Sequence, residues 1–251
     1  MVHSARSVAS SRNRDRPPIS IAILPLTTAV DVEDFTERLK LSLDTFGDVC
    51  VVASNSLPVS RSSAASEERL VEWLNERESH FRHVLYSAGG KDSRWLRRSL
   101  RQANRIFLVA SATEPPNKTV ARFRQQTPGF GASGQFKAAT GRFHLVLLHP
   151  SGASAATNTE SWLAAFPMVT EHHHIRPDRD ADFQRLARSI NHCLVGLTLG
   201  GGFAYGIANV GVIRALRELS ISIDCVGVPV WAPSSALRAH SKSTARECWT
   251  S

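Results

Sequence analysis

The sequence predicts an α/β fold, a mostly parallel sheet with flanking helices. Two observations carry this expectation. Short apolar runs rich in Ile, Val and Leu alternate with segments of helical hydrophobic spacing, which is the order of strand–helix–strand units. Near residue 197 the alternation resumes in a new form, where an apolar run enters three consecutive glycines and a helical pattern follows at once.

The elements follow in chain order. ISIAILPL (19–26) has the continuous apolar character of a buried strand. Residues 31–46 place Val32, Phe35, Leu39 and Leu43 on one helical face, and Gly47 supplies a C-terminal stop. VCVVA (49–53) is a second strand, 67–78 a helix, and HVLY (83–86) a third strand. A helix over 92–104 and a strand over 105–110 come next. The segment 115–140, rich in Gly, Gln and Thr, is expected to be an irregular excursion. FHLVLL (143–148) is another strand, and 180–191 is a helix with Phe183, Leu186, Ala187 and Ile190 on one face.

Length and composition bound the rest. The chain has 251 residues and is 42% hydrophobic, enough for a real core in one large domain or two small ones. A formal charge of +8 raises nucleic acid or anionic lipid as partners. Part of that excess sits at the amino end, where Arg6, Arg12, Arg14 and Arg16 face only Asp15, so nucleic acid is not expected. This leader has the Arg/Ser-rich composition of a transit peptide, but without an apolar helical face it is better described as a basic disordered linker. Cys50, Cys193, Cys225 and Cys248 form no C-x-x-C pair and are read as reduced thiols of a cytoplasmic protein. Residues 193–213 are uncharged, but six glycines interrupt them, which suits strand–turn–helix rather than a membrane span.

Outside the glycine run, little chemistry is visible. No G-x-x-x-x-G-K-[ST] occurs, and Gly89-Gly90-Lys91 lacks the upstream glycine, which leaves it as a surface turn. His172, His173 and His174 are adjacent on an expected strand, so their imidazoles alternate between faces. Without a Cys or carboxylate at ligand spacing, no metal is assigned to them. Lys40, Lys91, Arg97, Arg98 and Arg101 are simplest as solvated helix faces.

The run LTLGGGFAYGIANVGVIRAL (197–216) is the most informative. A glycine turn between a strand and a helix start presents backbone N–H groups to an anion. That anion is either permanent, as in a phosphate, or transient, as in the oxyanion of acyl transfer. Together with RELSISIDCVG (217–227), the run resembles the opening of patatin-like phospholipase domains. That pattern is an apolar strand, G-G-G-G-A-R-G, a helix with H-x-G-V-L-x-A-L, then G-I-x-x-D-x-V-G-G-T-S-x-G. Gly200, Gly201, Gly202, Gly206, Gly211, Asp224 and Gly227 match in register. The stretches IAILPL, VLY, LRQANRIFLV and DADFQRLAR resemble the region ahead of the catalytic domain in the neuropathy-target-esterase branch.

The resemblance implies a serine esterase acting on phospholipid or lysophospholipid, with a Ser–Asp dyad, no cofactor and peripheral membrane association. The glycine turn would form the oxyanion hole, with the amides of Gly201, Gly202 and Phe203 as donors and Gly200 and Gly206 as loop glycines. The match has departures. Phe203 replaces a glycine and Tyr205 the arginine, while Asn209 stands for the usual histidine. If position 203 needs positive φ, a Phe there is strained by about 1–2 kcal/mol.

The decisive departure follows Gly227, where the chain reads VPVWAPSSAL in place of G-T-S-x-G. No G-x-S-x-G occurs anywhere in it; Gly131-Ala132-Ser133 and Gly152-Ala153-Ser154 are near misses, and Ser234 and Ser235 follow a proline. Permitted codons for residues 227–237, read from the third base, give G-T-S-M-G-A-V-I-G-A. The expectation is therefore that one nucleotide was lost after Val226 and that the tail is read out of frame. The expected organisation is a linker at 1–18, an α/β region at 19–191, the start of a patatin-like domain at 192–227 and an out-of-frame tail at 228–251. Such a chain is expected to be inactive. Two alternatives remain: a nucleotide-binding module using Gly200–Gly206 for phosphate and Asp224 for a ribose, or a non-catalytic regulatory or interaction module.

Overall fold

The structure is a computed structural model, and it describes residues 17–57, 64–89, 92–126, 143–199 and 205–227. The expectations for residues 1–16, Lys91, Ser133, Ser234, Ser235, Cys248 and the tail lie outside these residues. Two compact units divide between Gln184 and Arg185, with Ala153–Ala156 grouped with the second.

The first unit is the predicted α/β layer. Its elements are β1 (Ile19–Pro25), α1 (Val32–Leu43), β2 (Val49–Ala53), α2 (Ala64–His80) and β3 (His83–Ser87), then α3 (Ser93–Gln102), β4 (Arg105–Ser111), α4 (Pro116–Gln126), β5 (Phe143–Leu148), α5 (Thr159–Ala165) and β6 (Glu171–Ile175). The strands form a six-stranded sheet in the order β2-β3-β1-β4-β5-β6, and every pairing is parallel. Parallel neighbours need long crossovers, which is why a helix follows each strand. Burial on both faces explains the near-continuous apolar strand sequences.

Side chains alternate between the two faces. On one, Ala22, Leu24, Val84, Tyr86, Leu108, Leu145 and Leu147 join Leu74 of α2, Trp95 of α3, Phe123 of α4 and Trp162 of α5 in a single core. The helix α1 lies against β1, β2 and β3 and buries Phe35, Leu39 and Leu43. There Phe35 meets Phe183, with ring centroids 5.6 Å apart.

Local signals set the helix ends. The Asp31 carboxylate caps α1 by accepting from the N–H groups of Glu33 and Asp34, both at 3.0 Å. Asp92 does the same for α3, accepting from Arg94 and Trp95 at 3.0 and 3.2 Å. α1 stops at Leu43, three residues short of the expected end, and Gly47 turns the chain with φ 141°.

One expectation is corrected and one element is added. Residues 116–126, expected to be irregular, form α4: Pro116 fits the first helical position, and Phe123 is buried edge-to-face against Phe166 at 5.6 Å. Tertiary packing outweighs the weak helix propensity of this polar stretch. The helix α5, which the sequence pattern did not reveal, forms to bury Trp162 and is only seven residues long.

The second unit contains most of α6 (Asp180–Ile190), then β7 (Gly196–Thr198), α7 (Tyr205–Glu218) and β8 (Cys225–Gly227). β7 and β8 pair in parallel, in register Gly196↔Cys225, Leu197↔Val226 and Thr198↔Gly227. Both helices of this unit end in the same left-handed cap. His192 (φ 56°) and Ser220 (φ 54°) occupy the positive-φ position, and the bonds Cys193 N→Arg188 O (2.8 Å) and Ile221 N→Leu216 O (2.9 Å) close the two turns.

Candidate functional site

Two places in this architecture are candidates: the carboxyl edge of the large sheet and the β7–α7–β8 unit. Open parallel sheets bind ligands at the carboxyl ends of their strands, where successive connections diverge. Here the chain leaves β1 toward β2 on one side, and leaves β4 toward β5 on the other. The loop between β1 and α1 therefore stands where a phosphate-binding loop would.

Its chemistry opposes phosphate. The N-terminal amides of α1 already donate to Asp31, and Glu33 and Asp34 add two further carboxylates to the first turn. A helix start attracts anions through free N–H groups and its positive dipole end, and three acidic side chains cancel both. Thr27 is buried and its Oγ1 accepts from the N–H of Ser111 at 2.9 Å. Gly89 packs so tightly against α1 that a Cβ there would lie 2.1 Å from Val32 Cγ1. Gly89 is thus a close-approach glycine, more constrained than the surface turn expected of it.

The β7–α7–β8 unit is held by a buried ion pair. Arg188, in the last turn of α6, donates from Nε to Asp224 Oδ2 at 2.8 Å and from NH2 to Oδ1 at 2.5 Å. The Val195 N–H donates to Oδ2 at 2.9 Å. The Asp224 side chain is only 2% exposed, and its two oxygens serve this internal fork. A ribose, as the nucleotide alternative requires, would have to compete with a guanidinium for both oxygens. The backbone is tied at the same point, Asp224 N donating to Val195 O at 2.9 Å.

One further bond sets the positions of the two chain ends that matter. Leu199 N donates to Gly227 O at 2.9 Å. Leu199 immediately precedes the glycine run, and Gly227 is the residue after which the resembling family places its nucleophile turn. Gly206 lies in the first turn of α7. Gly200, Gly201, Gly202 and Phe203 lie outside the described residues. Along α7, no residue from Asn209 to Glu218 is buried, and Val210 and Val212 are exposed. Leu194, Val195, Leu219 and Ile221 are exposed large hydrophobics of the same unit. Cys193 and Cys225 are exposed thiols and Cys50 a half-buried one, none of the three in a disulfide.

The three adjacent histidines divide as their alternation requires. On one face His173 and His144 lie with parallel rings, centroids 5.7 Å and planes 9° apart, and turn ring nitrogens toward each other at 3.5 Å. On the other face His174 Nδ1 lies 2.9 Å from His149 Nε2, both rings being buried, and His172 sits edge-on to His174 at 5.3 Å. Burial pushes the His149 and His172 pKa values down, and Arg176 adds to the effect on His149. The contacts of His149 and His144 with this triplet join residues 25 and 29 positions apart, and no local spacing announces them.

Fold and site together define a doubly wound parallel α/β domain whose phosphate-loop position lacks phosphate-binding chemistry, followed by a small parallel strand–helix–strand unit. Comparison with known proteins gives the family. The model of the neuropathy target esterase family P-loop like domain matches residues 19–194, and the chain belongs to the neuropathy target esterase family. Neuropathy target esterase sws of Drosophila melanogaster is 32% identical over 238 aligned residues, covering 83% of this chain and 16% of the relative. The proteins of Drosophila sechellia and Drosophila virilis match at the same identity. The chain thus spans about one sixth of these relatives' length. Among solved structures, the signal recognition particle receptor FtsY of Elizabethkingia anophelis aligns with a TM-score of 0.38 at 11% identity, over 74% of this chain and 69% of that one. That likeness is too slight to bear on function. No helix among the described residues is long and apolar enough to cross a membrane.

Proposed function

We propose that residues 192–227 are the opening strand–turn–helix–strand of a patatin-like serine esterase domain, preceded by an α/β region at 19–191 that acts as its scaffold. In this reading Gly201, Gly202 and Phe203 supply oxyanion-hole donors, and the substrates of the longer relatives are phospholipid or lysophospholipid esters met at a membrane surface. The supporting observation is the bond from Leu199 N to Gly227 O. It starts the glycine run and the continuation of β8 side by side, as an oxyanion hole and a nucleophile that act on one carbonyl must be. The unburied apolar residues of α7 are consistent with a helix whose packing partners belong to the remainder of a catalytic domain.

The chain as written is inactive in this reading, because VPVWAPSSAL stands after Gly227 where the reading requires G-x-S-x-G. Positioned donors without a nucleophile leave only residual catalysis. A fluorophosphonate probe and a lysophospholipid substrate test this directly: neither labelling nor hydrolysis above buffer is expected. Serine labelling would overturn the assignment of inactivity. Joining residues 19–227 to the remaining catalytic portion of the Drosophila relative should restore labelling. In that chimera Gly202→Pro, which deletes a donor, should lower kcat by about 10²–10³. Full activity of Gly202→Pro would remove this loop from the oxyanion role. The DNA encoding residues 227–237 must also be readable as G-x-S-x-G in the shifted frame.

A further inference from the structure

The parallel register of the edge strands assembles three metal-ligand side chains that the sequence keeps apart. β5 and β6 pair with His144 opposite Glu171 and Val146 opposite His173. Residues two apart on a strand share a face, so Glu171, His173 and His144 converge on one side of the sheet. They do so at the amino ends of these strands, the edge opposite the loops discussed above. His144 is buried, His173 is half-buried, and the Glu171 side chain is 56% exposed, so the group opens to solvent from one side.

The donor atoms form a compact triangle. His144 Nδ1 is 3.4 Å from Glu171 Oε2, His173 Nε2 is 4.0 Å from the same oxygen, and the two nitrogens are 3.5 Å apart. The circle through three points at these separations has a radius of about 2.1 Å, equal to the ~2.0–2.2 Å of zinc–nitrogen and zinc–oxygen bonds. An ion at its centre meets all three donors at bonding distance without moving any of them. Lifting the ion toward tetrahedral geometry asks for donor separations of about 3.4 Å. Two of the three already have that separation, and the third involves the exposed, flexible Glu171. Phe107 backs both rings, with centroids 5.2 Å from His144 and 6.1 Å from His173, and so restricts their tilt. The adverse element is Arg105 on β4, whose charge is attracted to Glu171 and competes for it.

We propose that His144, Glu171 and His173 form a binding site for one divalent transition-metal ion of the zinc class, clamping edge strand β6 to β5. Two imidazoles and one carboxylate are borderline ligands, suited to Zn²⁺, Co²⁺, Ni²⁺ or Cu²⁺ rather than to Mg²⁺ or Ca²⁺, which take oxygen cages. Three protein donors leave at least one position for water. The site departs from the expectation that the histidine run has no carboxylate at ligand spacing. Glu171 is that carboxylate, two residues before His173, and the second histidine comes from the neighbouring strand.

The test is titration of the chelator-stripped full chain with Co²⁺ alone, followed by competition with Zn²⁺. One equivalent is expected to give visible d–d absorption without a thiolate charge-transfer band, and Zn²⁺ should abolish it and raise Tm. Glu171→Gln, at an exposed position that leaves packing intact, and His173→Asn should each weaken Co²⁺ binding by at least about tenfold. His172→Asn, on the opposite face, should leave it unchanged. Absence of the bands would overturn the proposal and leave a histidine–histidine hydrogen bond beside Glu171. Bands with thiolate character, or equal in Glu171→Gln and the unaltered chain, would place the metal elsewhere and overturn it as well.

Discussion

Substitution of Arg188 by Met is the sharpest probe of the second unit. The change keeps the length and apolar stem of the side chain but removes both donors that face Asp224. The carboxylate, 2% exposed, is then left with the Val195 N–H alone. Breaking a buried pair from one side costs about 3–5 kcal/mol, because the remaining charge is neither solvated nor paired. Arg188 itself is 18% exposed, so water reaching the vacated space places the expected cost near the lower end, about 3 kcal/mol. At 1.4 kcal/mol per decade that is about a 100-fold rise in the local opening constant. Hydrogen exchange reads it at the Leu199 and Asp224 amides, which donate to Gly227 O and Val195 O. Their protection should fall about 100-fold while the β1–β6 sheet is unaffected, and Arg188→Met/Asp224→Leu should recover most of the loss. Protection within about threefold of the unaltered chain would refute the reasoning, as would a double variant no better than the single one. The same follows if these amides already exchange freely before any substitution, since the ion pair then restrains nothing.

Two further outcomes are expected in the first unit. Gly89→Ala forces a methyl against Val32 Cγ1, a β-branched side chain with little freedom to turn away, and should lower the urea unfolding free energy by about 1–3 kcal/mol. Val32→Ala in the same chain should restore much of it, and no rescue would show that the cost lies in the backbone of the turn instead. For pH, burial holds His149 and His172 below their ordinary 6.5, so the unfolded chain binds protons that the folded one refuses. Stability is therefore full above the unfolded pKa and is lost as pH falls from about 7 toward 5, which urea midpoints across that range will show. The double replacement His149→Gln/His172→Gln should flatten the dependence, and an unchanged slope would assign it to other groups.

Most of the elements were legible because they rest on near neighbours. The apolar runs of β1 to β5, the i, i+3, i+4 faces of α1 and α6, and the Asp31 and Asp92 caps are written within a few residues of where they act. The glycine run and the missing G-x-S-x-G are likewise facts of sequence alone. α4 and α5 were hidden because their helicity depends on burying Phe123 and Trp162 against distant strands, a gain that local polarity conceals.

The sequence by itself determined the α/β class, the order of most of its elements and the absence of the letters G-x-S-x-G after Gly227. Only the tertiary structure decided that β1 lies between β3 and β4, that Asp224 belongs to Arg188 36 residues earlier, and that His144 meets Glu171 and His173. The reason is physical. Periodicity and capping are fixed by backbone geometry over one or two turns, whereas strand neighbours and register are fixed by how whole faces pack. The side chains that packing brings together carry no mark of one another along the chain.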